Sequence, residues 1–380
     1  MISINSVISE IMNLRERAPI HIDSQNKNRY RIVLNENDGT KTSYCFGVPI
    51  YNNNTEKLID YRITYKDDVG TFIGSNAKIV IDENITLKNR DGVCTLTFMA
   101  EKPVLRTPEK CVYKNAEVIP TTNGVLCKVD CSDKIPMRFK ISTDRVFLNV
   151  RANTKYFSIM NTKHIPFVTV SCIGVADESG EIVAGANVNC RKISDREYEL
   201  TFSSASSEGK RIYFEINAQE SKLFQDTTVE SNNPRRNNAF GGIAFIGNSV
   251  TYGEMWLYSR PMLSLISDLY DIPIKKAMVH FPRHNLPGID ITAYRISRRF
   301  CSFGSKWDNK VEAAEMVANS FMNGKYQSID ITQLITHKPT GFLSLSEGFI
   351  LKPLKKEKSF SVISTGDSFY APPILEIRHK

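Results

Sequence analysis

From about residue 28 onward, apolar and polar positions alternate in short runs broken by turn residues. Ile85 and Leu87 alternate with polar neighbours, Asn89 to Gly92 supply a turn, and Cys94, Leu96 and Phe98 resume the alternation. Side chains two apart share one face of a strand, so this spacing predicts a hairpin. The same period recurs at Met137, Phe139 and Ile141, at Val168, Val170 and Cys172, at Tyr198, Leu200 and Phe202, and at Ile212, Phe214 and Ile216, with turns at 177–180 and 206–209. Strands spaced roughly 8–12 residues apart, with turn signals between them, predict β-sandwiches with one wet and one buried face per sheet. The exception is the N-terminus, where Ile4, Val7, Ile8, Ile11 and Leu14 recur at helical spacing. So short a helix is marginal in isolation, so its stripe must dock, either on this chain or on a neighbouring copy.

The expected fold class is therefore mainly β: serial antiparallel β-sandwich domains, jelly-roll or Ig-like, behind a short N-terminal helix. The chain has 380 residues, 41% hydrophobic, enough for two or three cores when single domains hold roughly 100–200 residues. Polar breaks at Asn153 to Lys155 and Asn161 to Lys163, and a new pattern from Asp226, suggest four parts. These are a helix over 1–20 serving as anchor or oligomer contact, a sandwich over 21–155, a smaller one over 156–221, and a C-terminal one over 222–380.

Charge changes this picture little. The net charge is +8, but 49 basic and 41 acidic residues are interspersed, which reads as a solvated surface and not as a phosphate-tracking stripe. Arg235–Arg236 and Arg298–Arg299 are only doublets, and the most basic run, Lys352 to Lys358, reads as the tip of a hairpin joining the strands 347–352 and 359–364. No nucleic-acid partner is expected. Eight cysteines fall largely within alternating apolar runs, as free core thiols do, so synthesis in a reducing cytoplasm is expected. Residues 1–20 lack a signal-peptide pattern, and no window is long and apolar enough for a membrane helix, so no membrane insertion is expected.

The sequence offers little chemistry. There is no Gly-x-Ser-x-Gly elbow and no Walker sequence. His280 and His284 have a spacing that would align them on a strand, but Pro282 interrupts it and no third ligand is near. Cys127 and Cys131 share a strand face without further partners. Asp67 and Asp68, or Asp226, leave a structural calcium ion open, although solvated turn acids are the simpler reading. No catalytic residue, no metal site and no cofactor is expected.

The C-terminal third carries a more specific order. It opens on Asp226-Thr227, followed by the Asn-rich loop Asn232 to Asn238. Next come Arg260 to Pro273, Trp307 to Asn309, Asp330 to Thr332, Gly348 to Lys352, and the final Pro373 to Ile377. This order resembles the DNRLRE domain, a jelly-roll-like β-sandwich of bacterial surface proteins and phage structural proteins. It covers about 155 residues, from 226 to 380. The literal motif that names the family is absent, and Val311 to Phe321 reads as a helical insert with Val311, Ala314, Ala318 and Phe321 on one face. Trp256, in an alternating strand, reads as packing. Trp307, in a polar loop, is a candidate sugar-stacking platform, with Asn309, Asn237 and Asn238 as candidate binding residues beside it.

Serial sandwiches, the lack of a secretion signal and free cysteines, in a chain that resembles an exposed module, together suggest a non-enzymatic structural or adhesive component of a virion or phage-tail-like particle: a capsid decoration, tail fibre or baseplate-associated protein. Its expected partners are other particle proteins, further copies of itself in a homo-oligomer, and a host-surface glycan. Its expected final location is the particle surface. The alternatives are a carbohydrate-binding accessory protein of a bacterial cell surface and a hydrolase within residues 21–221.

Overall fold

The computed structural model describes residues 9, 11–15, 21–23, 28–52, 57–90, 92–98, 102–131, 136–142, 149–160, 166–204, 210–218, 223–262, 266–269, 272–285, 288–336, 347–355 and 357–380. The protein is mainly β, with antiparallel sheets and little helix. It divides into two compact units: Tyr51–Ser221, and Ile8–Ile50 joined with Lys222–Lys380.

In the unit Tyr51–Ser221, two sheets share one core. An eight-stranded sheet includes Asn84–Asn89, Gly92–Phe98, Pro136–Ser142 and Glu197–Ser204; a nine-stranded sheet is centred on Pro166–Ala176, Arg211–Ala218 and Gly124–Asp130. Ile79, Ile85, Leu96 and Leu200 of the first sheet bury against Val118, Phe157, Val170 and Phe214 of the second. Phe202 stacks on Phe214 across the gap with ring centroids 4.1 Å apart. The hairpin expected from the alternation at 85–98 forms, with Ile85 opposite Leu96 and Asn89 opposite Gly92. Asp67 and Asp68 both adopt positive φ (49° and 66°) between Thr64–Lys66 and Val69–Ile73. They form the mirror-image turn that two-residue hairpins favour.

This grouping differs from the expected division at residue 155. Gly124–Asp130 pairs along its length with Arg211–Ala218, which in turn pairs with Pro166–Ala176. The polar stretch that suggested a boundary is a turn inside the sheet: Asn153 Oδ1 accepts the N–H groups of Lys155 and Tyr156 at 2.7 and 3.1 Å. An asparagine that closes its own turn looks the same in sequence as one that ends a domain. The stretches 161–163 and 206–209 lie outside the described residues.

The second unit is also a sandwich. One sheet runs in the order His21–Ile22, Arg31–Asn35, Lys41–Phe46, Ile374–His379, Ile274–Pro282, Tyr326–Asp330 and Phe321–Asn323. The other runs in the order Ala313–Asn319, Ile291–Ile296, Phe349–Pro353, Gly253–Pro261, Ile243–Ser249 and Phe360–Ser364, with Phe224–Glu230 also paired to Gly253–Pro261. Cys45, Val279, Phe281, Ile329 and Leu375 meet Ala244, Leu257, Ala293, Phe349 and Ile363 between the sheets. The last strand enters between Lys41–Phe46 and Ile274–Pro282. The strands His21–Ile22, Arg31–Asn35 and Lys41–Phe46 thus complete the sandwich that the sequence confined to 222–380.

Three local expectations change. The stretch expected as a helical insert is two strands, Ala313–Asn319 and Phe321–Asn323. Its alanines are good helix formers, but intrinsic propensity yields to tertiary context, and pairing with Ile291–Ile296 and Tyr326–Asp330 overrides it. Phe349–Pro353 and Phe360–Ser364 do not form a hairpin; Gly253–Pro261 and Ile243–Ser249 lie between them in the sheet. Of the expected N-terminal helix, residues 9 and 11–14 are described as helical, while Ile4, Val7 and Ile8 lie outside the described residues. Ile11 and Leu14 are buried. Arg15, just after the turn, holds Glu36 with both ends of its guanidinium at 2.9 and 2.7 Å, so this part of the stripe docks on its own unit.

Candidate functional site

The residues singled out in the sequence fall around one loop of the second unit. Asn237 donates from Nδ2 to the carbonyls of Ser302 and Ser305 at 2.7 and 2.9 Å. Asn309 donates to the Gly304 carbonyl at 3.0 Å and accepts the Lys306 N–H at 2.8 Å. Asn238 is buried and donates to the Thr228 carbonyl and to Glu230 Oε1. All three amides therefore shape the chain. Asn237 and Asn309 hold the 301–309 loop over the outer face of its sheet, and Val229, Trp256, Tyr258, Phe300 and Ile350 pack together there. Trp307 is half-buried, its ring 4.8 Å from that of Trp256. Lys310 Nζ lies 4.9 Å from the Trp307 centroid and Lys352 Nζ 3.9 Å from that of Trp256, distances at which ammonium groups are attracted to aromatic faces. Trp256 is buried and its Nε1 donates to Glu254 at 2.8 Å, the packing role that its alternating strand suggested.

The other candidate groups do not converge. His280 Nδ1 meets Ser328 Oγ at 2.8 Å and its Nε2 meets Glu376 Oε2 at 3.1 Å. His284 Nε2 instead meets Ser364 Oγ at 2.8 Å, and burial pushes its imidazole down to about 4. Cys127 is fully buried and Cys131 half-buried; burial raises both thiols. Asp226 lies inside the sandwich and accepts the Gly366 N–H. Among the described residues, no group of three or more His, Cys, Asp or Glu is placed to hold a metal ion.

Composition gave no hint of a polar groove across the outer face of the other sheet of this unit, about 720 Å³ in volume. Its floor follows from register. Because inward Cys45, Val279, Leu375 and Ile377 alternate with outward neighbours, Thr42, Tyr44, Met278, His280, Glu376 and Arg378 share the outer face. Tyr44 stands opposite Glu376, and Glu376 opposite Met278. One wall is the end of the N-terminal helical turn, Asn13 to Arg15, with the turn Glu36 to Asp38; the other is the edge strand Phe321–Asn323.

Apart from Lys276, the charged side chains lining the groove are engaged with partners. Arg15 holds Glu36, and its hydrogen bond keeps the Glu36 carboxyl below the usual carboxylate range. Arg378 Nη2 holds Asp38 at 2.9 Å. Hydrogen bonds from the Thr40 hydroxyl and N–H lower Asp38 to about 2. Burial raises the Tyr44 phenol well above its ordinary value, and its hydroxyl lies 3.5 Å from Arg15 Nη1. Ser328, the hydroxyl that His280 could activate, is wholly buried, so it cannot meet a substrate as a nucleophile must. The arrangement offers fixed hydrogen-bonding groups to a polar molecule. Glu376 and Arg378 alternate with Leu375 and Ile377, so the last strand has a charged outer face. Which strands would lie beside it was not legible, because Ser43 and its hydrogen-bond partner His379 are 336 positions apart. No family model matches this chain and no curated protein matches it, so its function has to be read from its own residues.

Proposed function

We propose that the protein is a non-enzymatic structural and adhesive component of a virion or phage-tail-like particle, presenting its second sandwich, with DNRLRE-like features, to a host surface. The observation that carries this reading is how the ionisable groups on the outer faces of that sandwich are arranged. Arg15 with Glu36, Arg378 with Asp38, His280 with Glu376, and Lys310 with Glu312 each form a pair. None of them poises a free nucleophile beside a base, as covalent catalysis requires. Rigid sheets that present fixed hydrogen-bonding groups suit recognition. Gradient fractionation of native lysate, followed by mass spectrometry, tests this reading. The protein is expected to sediment with assembled particles at constant stoichiometry; recovery only in the soluble fraction contradicts it. The groove also favours a second reading, a carbohydrate-binding accessory protein of a bacterial cell surface, which predicts recovery with cell envelopes instead.

A further inference from the structure

We infer that the groove between the Asn13–Arg15 turn and the strand Phe321–Asn323 is the binding site for a neutral saccharide. The inference rests on the adhesive reading and moves its contact point from the Trp307 loop to the opposite outer face of the same sandwich.

The volume, about 720 Å³, falls within the roughly 300–1,000 Å³ of small-molecule clefts and is roomy enough for a short oligosaccharide. Charge narrows the chemistry. The lining carries Arg15, Lys276 and Arg378 against Glu36, Asp38 and Glu376, and all but Lys276 are engaged with an oppositely charged group or with His280. An anionic ligand would find only Lys276 uncommitted and would compete with a carboxylate for Arg15 or Arg378, and a cationic ligand would compete the other way. A hydroxyl can accept from a guanidinium and donate to a carboxylate at once, so it can bridge a pair without breaking it. Neutral polyols are therefore favoured over phosphates, acidic sugars and amines.

The walls differ in character, which selects a saccharide among polyols. Phe321 and Met322 are each about half exposed (48%) at the rim, while Glu36, Asp38 and Arg15 face the groove from the other side. A pyranose ring has an apolar C–H face and a girdle of hydroxyls. Laid with its C–H face on Phe321, it would direct its hydroxyls toward the paired ions. Lys276 is exposed and makes no ion pair among the described residues, so its ammonium remains as a donor to a ring or glycosidic oxygen.

The test is binding of the full-length protein to a printed panel of neutral and acidic oligosaccharides, followed by titration calorimetry with the best neutral binder. Phe321→Ala and Lys276→Ala change exposed side chains, and an unchanged melting temperature confirms that each variant folds. Each is expected to weaken binding roughly tenfold or more, while Lys355→Ala, on a remote exposed position, does not. Binding is expected to change little with added salt, unlike attraction between net charges. The inference is overturned if the full chain binds no neutral saccharide, if both groove variants bind as the parent does, or if binding is lost only in Trp307→Ala. Its failure is separable from that of the adhesive reading. A protein that sediments with particles but binds no neutral saccharide keeps the reading and loses the groove; one that binds through the groove yet stays out of particles does the reverse.

Discussion

Asn123 is wholly buried and engages three groups: its amide donates to Asn76 Oδ1 at 2.6 Å and to the Ala218 carbonyl, and its own oxygen accepts the Asn76 N–H at 3.1 Å. It therefore ties the 75–76 turn to the end of the strand Arg211–Ala218. Removing its side chain leaves the buried Ala218 carbonyl without that donor, at about 1–3 kcal/mol, while exposed Asn76 can turn to water. Asn123→Ala is expected to lower unfolding free energy by about 1–3 kcal/mol in denaturant titrations; a change within about 0.5 kcal/mol, the range of ordinary surface substitutions, would contradict that role. The cysteines make a second residue-scale test. Cys45, Cys94, Cys111, Cys127 and Cys172 are buried, whereas Cys301 is exposed. Burial pushes the Cys45 thiol up to about 12, and the thiolate is the reactive form. A brief native pulse of iodoacetamide read by mass spectrometry should therefore modify Cys301 well ahead of those five. Comparable labelling of Cys94 or Cys127 would mean that the sandwich core is not closed. The core role was visible in the sequence for Cys94 and Cys172, because each sits in an alternating apolar run. The role of Asn123 was not, because its partners come from distant turns.

At the scale of elements, alternation identified strands well and their partners poorly. The hairpin 84–98 was legible because its two strands adjoin and a turn joins them. The mistaken hairpin near the basic tip arose from the same rule, applied where the intervening strands of the sheet come from earlier in the chain. Val311 to Phe321 misled for another reason: its alanines lean to helix, its valines and phenylalanine to strand, and pairing with the neighbouring strands decides between them. The N-terminal turn gives a pH prediction. The hydrogen bond from Arg15 holds the folded Glu36 carboxyl below its ordinary value of 4.5. Its contribution to stability is therefore complete above that ordinary value and is lost as pH falls through the lower folded value. Hydrogen exchange of residues 11–15 should accelerate as pH drops from about 5 to about 3, beyond the intrinsic change in exchange rate. Arg15→Met should exchange fast at both ends of that range. An acid response that survives in Arg15→Met would mean that some other group governs the docking.

At the scale of the molecule, the second unit is assembled from two stretches separated by the whole of the first. The N–H of Leu223 meets the Gly47 carbonyl at 3.2 Å, and the N–H of Gly47 meets the Pro373 carbonyl at 2.9 Å, so the chain leaves this sandwich and returns to it at neighbouring points. That is the geometry of a domain inserted into another, which folds tolerate when the ends lie close together. The seven features in the C-terminal third drew attention to 222–380 as a self-contained sandwich. The strands supplied by residues 31–46 carry no such features, so their membership could not be read from them. The groove depends on the same point: Glu36 and Tyr44 come from the first stretch, Lys276 and Glu376 from the second. The most direct measurement is calorimetry on two shortened chains, residues 222–380 alone and residues 8–380 with 51–221 replaced by a short glycine linker. The linked chain should unfold in one cooperative transition, and 222–380 alone should show none. A cooperative transition in 222–380 alone, or its absence from the linked chain, would contradict a sandwich and groove built jointly from both stretches.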